Sequence, residues 1–128
     1  MKAEILDILN SDGTTEVVFR CACGEAAGRW DGVPPLIGDV RHVELACDDE
    51  LEPGVNAGRA SRQAPFVRRH AGRVEITARL LARYEEGTVL LGFDDGRLEM
   101  EAIGDDFWCV DNWYTITVDA LALYDMNL

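Results

Sequence analysis

The chain has 128 residues, with 24 acidic side chains against 12 Lys or Arg, a formal net charge of −12, and an apolar fraction of 48%. That length suits one domain, 1–128, with a core large enough to fold without a disulfide or a metal. The charge argues against general affinity for nucleic acid or for anionic membrane, since both are met by Lys and Arg.

The opening Met1–Gly13 places acids inside its apolar stretch and offers no small-residue cleavage site, so no signal peptide is expected. No apolar run is long enough to span a bilayer as a helix. The expected location is cytoplasmic.

Hydrophobic periodicity predicts strands throughout. Residues 3–9 form the first, and Asn10-Ser11-Asp12-Gly13 turns the chain. Residues 15–23 form the second, with Val17, Phe19, Cys21 and Cys23 on one face and Gly24 and Gly28 bending it. Asp31-Gly32-Val33-Pro34-Pro35 is a loop, and residues 40–47 form a third strand aligning Val43, Leu45 and Cys47. Residues 48–72 hold Pro53, Gly54, Gly58 and Pro65 with no sustained period, and are expected as an irregular connection.

The clearest pattern follows. Residues 74–84 alternate with a period of two, placing Val74, Ile76, Ala78, Leu80, Ala82 and Tyr84 on one face, with Leu81 the single breach. Residues 88–93 and 97–103 continue the alternation after turns at Glu85-Glu86-Gly87 and Asp94-Asp95-Gly96. The last strand spans about 113–124, and a change of parity near Asp119-Ala120 predicts a bulge. Six or seven short strands with turns between them predict an all-β fold, a small antiparallel β-barrel of OB-like order.

Charge is distributed in blocks. Residues 59–83 carry seven Arg and one acid, between acidic flanks on both sides. Within this island Arg59, Arg62, Arg68, Arg69 and Arg73 are the residues an OB-type nucleic-acid binder would use. Acidic runs recur at strand ends: Asp48-Asp49-Glu50, Glu85-Glu86, Asp94-Asp95 and Asp105-Asp106. Each is explained singly by turn chemistry and solubility. Where loops gather at one end of a barrel, the pairs build one negative field that attracts cationic partners.

Four cysteines are present, and only Cys21 and Cys23 are close in sequence. A C-x-C pair without a second pair does not match the usual structural-zinc spacing. Their apolar neighbours favour reading them as small core hydrophobes. His42 and His70 stand beside arginines and match no triad signature. No metal or cofactor is implied. A small hydrolase whose site assembles only in space is the enzymatic alternative.

Residues 107–114 read Phe-Trp-Cys-Val-Asp-Asn-Trp-Tyr, four aromatics beside Asp105, Asp106 and Asp111. Either the rings plug the core, or an exposed ring inside an acidic rim anchors a protein partner. The second reading nominates Asp105, Asp106, Trp108, Asp111 and Trp113 as a partner-binding site.

The run Gly32-Val33-Pro34-Pro35-Leu36-Ile37-Gly38-Asp39-Val40-Arg41-His42-Val43-Glu44-Leu45 and the ending Leu123-Tyr124-Asp125-Met126-Asn127-Leu128 resemble small bacterial β-barrel proteins, some of them similar to immunity proteins of toxin systems. The resemblance implies a non-enzymatic protein that docks a partner. Together with the charge, it points to a basic protein partner, a toxin among the candidates.

Overall fold

Of the 128 residues, the computed structural model describes 1–127. Twelve strands follow in chain order. They are β1 (Lys2–Ser11), β2 (Thr14–Cys21), β3 (Gly24–Asp31), β4 (Val40–Cys47), β5 (Glu50–Leu51), β6 (Ala57–Arg59), β7 (Phe66–His70), β8 (Arg73–Tyr84), β9 (Thr88–Phe93), β10 (Gly96–Ala102), β11 (Trp113–Val118) and β12 (Leu121–Asp125). One 3₁₀ turn, Asp105–Phe107, precedes β11.

A closed barrel forms from five of these strands in the circuit β1-β2-β3-β12-β4-β1. All its pairings are antiparallel except β3 with β12. Closure removes the exposed edges that an open sheet would present. Between β1 and β2, Asp12 and Gly13 both take positive φ, the two-residue turn whose twist suits flanking strands. Inward positions Ala3, Ile5, Val17, Phe19, Ala26, Val43 and Leu123 are buried.

The other seven strands stand between β4 and β12 in sequence and extend the sheet. β8 pairs along its length with β7, β9 and β11. β10 then pairs with β9, and β5 lies parallel to the end of β10. One core runs from the barrel into this extension, joining Phe19 and Trp30 to Leu80, Leu91, Trp108 and Tyr114.

The all-β barrel expected from the periodicity is present, with twelve strands where six or seven were expected and four differences in detail. The stretch read as one strand over 15–23 ends at Cys21, and the chain reverses at Ala22-Cys23 into β3. The segment 48–72 carries the short strands β5, β6 and β7. Leu51, Ala57 and Val67 are buried there, and the Asn56 side chain ties the backbone at Glu50 and Glu52. The expected bulge at Asp119-Ala120 is instead the point where the chain leaves the extension (β11) and enters the barrel (β12). In β8 a bulge at Leu81 shifts the register, so the expected inward face holds from Val74 to Leu80, while Tyr84 is exposed.

Candidate functional site

The 103–114 segment is a tight loop wound around its own rings. Gly104 at φ 84° opens the 3₁₀ turn, and Asp111 at φ 74° reverses the chain before β11. Asp and Gly tolerate this left-handed region better than bulkier residues. Trp108 is only 1% exposed, and its indole N–H donates to the Ile103 carbonyl at 2.8 Å. The Tyr114 hydroxyl donates to the Phe107 carbonyl at 2.8 Å and accepts the Cys109 amide at 2.7 Å. Phe107, Trp108 and Tyr114 stand with centroids 4.7–5.2 Å apart in edge-on and tilted contacts, the geometry that ring quadrupoles favour.

This corrects the nomination of Trp108 as an exposed anchor: it is a core side chain, and covering its large apolar area outweighs any use at the surface. Trp113 is half-buried on β11, paired in register with Arg79 of β8. Asp105, Asp106 and Asp111 are exposed. Of the nominated five, Trp108 is thus withdrawn from the surface.

A different acidic surface forms beside the loop. Glu50, Glu86, Glu101 and Asp105 line one depression of about 450 Å³, together with Ile103. Glu50 and Glu101 are direct register partners across the parallel β5–β10 pair, so two exposed carboxylates of like charge lie side by side. Such juxtaposition is destabilising in a sheet. Ile103 is 42% exposed and Tyr84 50% exposed, and Tyr84 lines the adjoining depression with Glu85, Glu86 and Asp105. The base in this area is Arg83, 4.0 Å from Asp105 at an exposed position. Of the four acidic runs in the sequence, members of three converge here. Asp94-Asp95 lies elsewhere, where Asp95 accepts the Lys2 amide.

Convergence of this kind was foreshadowed by the acidic strand ends, but the residues involved depend on a parallel pairing between β5 and β10. No local sequence pattern announces a two-residue strand such as Glu50–Leu51.

Two arginines of the island, Arg68 and Arg73, are paired with acids. Arg68 makes two contacts with Glu75 at 3.1 and 3.2 Å, and Arg73 meets Asp119 at 2.9 Å. Arg69, His70 and Arg73 do line a cleft of about 430 Å³ with Arg29, but Glu16, Asp48 and Asp119 line it too. A backbone of phosphates needs an uninterrupted positive groove. Among the described residues no group of three or more His, Cys, Asp or Glu is placed to hold a metal ion. No helix of the described residues is long and apolar enough to cross a membrane.

No protein-family model, curated protein or solved structure matches the chain.

Proposed function

We propose that the protein is a non-enzymatic module that docks a basic protein partner through the surface around Glu50, Glu86, Glu101 and Asp105. The observation that carries this reading is the side-by-side placement of Glu50 and Glu101 at the edge of an acidic depression. The arrangement costs stability in the free protein, and a cationic partner relieves that cost. Exposed Tyr84 and Ile103 supply apolar contact area within the acidic surround. An aromatic anchor beside charged groups is a common form of interface hot spot. Asp106 and Asp111 add charge near the same loop and act on the rate of approach rather than on contact. Neutralisation of a basic toxin by an immunity-type protein is one form such docking takes, in line with the resemblance of the 32–45 segment.

The test uses a panel of folded basic proteins of differing surface shape, with binding followed by calorimetry. At least one binds, and its affinity falls as salt rises. Combined Glu50→Gln, Glu86→Gln, Glu101→Gln and Asp105→Asn then weakens that binding by about tenfold or more. Neutralising four acids elsewhere (Asp7, Asp12, Asp31 and Glu44) leaves it within about threefold. Equal losses from both sets mean that only net charge matters, and the assignment of the surface is then wrong.

A further inference from the structure

The turn between β2 and β3 brings two thiols together. Cys21 ends β2 and Cys23 lies in the reversal, with their Sγ atoms 3.7 Å apart. Cys21 Sγ also lies 3.4 Å from the Gly24 carbonyl oxygen, to which its S–H can donate. Cys21 is 8% exposed, while Cys23 is half-buried and gives solvent a way to the pair. The other two cysteines stand apart from this arrangement. Cys47 is buried, with its thiol pushed up to about 11 by burial, and Cys109 is exposed.

We propose that Cys21 and Cys23 form a redox-active dithiol that closes to an intra-turn disulfide on exchange with a low-molecular-weight disulfide. The two sulfurs need to approach from contact distance to the bond length of about 2.05 Å. That movement reshapes the turn that joins β2 to β3.

The exchange proceeds in two displacements. The Cys21 thiolate attacks one sulfur of the small disulfide RSSR, the S–S bond of RSSR breaks, and RS⁻ leaves to take a proton from solvent. Cys23 then loses its proton to solvent, its thiolate attacks Cys21 Sγ, and the second RS⁻ departs and is protonated. Two protein thiols are oxidised to one disulfide, and one RSSR is reduced to two RSH. The hydrogen bond from Cys23 favours the thiolate of Cys21, whose pKa is lowered to about 7. The same contact, with burial, pushes the Cys23 thiol upward. The lowered Cys21 value favours its thiolate as the opening nucleophile, with Cys23 beside it at 3.7 Å to resolve the mixed disulfide. Asp95 and Asp94, on the β9–β10 turn, face the pair and oppose thiolate formation, so they moderate the rate.

The turn is also a structural joint. The Cys23 carbonyl accepts the Val67 amide at 3.0 Å, and Gly24 pairs with Val67, so the barrel meets β7 at this point. The dithiol therefore sits where a change in turn shape reaches both parts of the sheet.

The experiment incubates the native protein with oxidised glutathione, quenches with acid, unfolds, alkylates and maps the peptides by mass spectrometry. The expected result is loss of two alkylatable thiols, a peptide carrying a Cys21–Cys23 disulfide, and full recovery of both thiols on adding dithiothreitol. Cys23→Ser should stop at a mixed disulfide on Cys21. The wild-type measurement stands without the variant. If Cys21 and Cys23 both stay alkylatable while Cys109 alone forms a mixed disulfide, the proposal is overturned. A disulfide linking either of them to Cys47 or Cys109 overturns it equally.

Discussion

Gly24 and Val67 meet so closely that a Cβ on Gly24 would stand 1.8 Å from the Val67 carbonyl oxygen. Gly24 also has φ 146°, a conformation that side-chain-bearing residues rarely adopt. Gly24→Ala should therefore cost about 2 kcal/mol or more, because strain and backbone overlap add. Gly13→Ala is the control: its φ is 77°, but a Cβ there meets nothing within 4 Å. It should cost only about 1 kcal/mol. Urea denaturation of both variants checks the ranking, and equal costs would show that the β3–β7 joint yields readily.

The rings of the 103–114 loop should matter for stability and not for docking. Tyr114→Phe removes a hydroxyl that satisfies two backbone groups, Cys109 N–H and Phe107 C=O, in a fully buried position. Leaving them unpaired should cost about 1–3 kcal/mol. Trp108→Ala should cost about 3–5 kcal/mol. Thermal melts measure both, and Trp108→Phe, if folded, should bind a basic protein as the wild type does. Loss of that binding with the fold intact would restore Trp108 as a contact residue.

Relief of the Glu50–Glu101 juxtaposition should stabilise the free protein. Glu101→Gln is expected to raise stability by about 0.2–1 kcal/mol at low salt. The gain should shrink as salt is added, because both carboxylates are exposed and screened. A variant that is less stable at every salt concentration would remove the like-charge argument for this surface.

Acid should release the turn before β4. Asp39 Oδ2 accepts the Leu36 amide at 3.0 Å and Arg41 Nη2 at 2.9 Å, and Arg41 also pairs with Asp125 of β12. The Leu36 amide and then the Arg41 guanidinium hold the Asp39 carboxyl below the usual carboxylate range. With the folded pKa depressed, the stabilisation is complete above the unfolded value of about 4 and is lost as pH falls through the folded value. Proton NMR should show the Leu36 amide resonance shifting as pH falls through the depressed Asp39 value, below about 4. Asp39→Asn should flatten that dependence. A wild-type amide unchanged down to the acid-unfolding transition would contradict it.

Much of the strand content was legible in the residues. The alternation of β9 and β10 puts Val89, Leu91, Phe93, Leu98, Met100 and Ala102 inside, as their period requires. Leu81, out of phase in its strand, marks the bulge in β8, and the parity change at Asp119-Ala120 marks a true break. Local sequence determines these features because side chains alternate with a fixed period of two along any strand. The net charge of −12 and the acidic strand ends were equally plain.

Only the tertiary structure decided which strands meet. β12 closes the barrel beside β3 and β4, and the Glu50–Leu51 segment lies along the end of β10. Such pairings join residues far apart in sequence, and a short apolar segment carries no mark of its distant partner. Burial within the 105–113 segment was undecided for the same reason. Trp108 and Trp113 have the same composition around them, but the reversal at Asp111 turns Trp108 into the core and leaves Trp113 on β11, half-covered. The acidic surface moved with them, from the aromatic loop to Glu50, Glu86, Glu101 and Asp105. Those carboxylates converge because three separate strand ends close at one place.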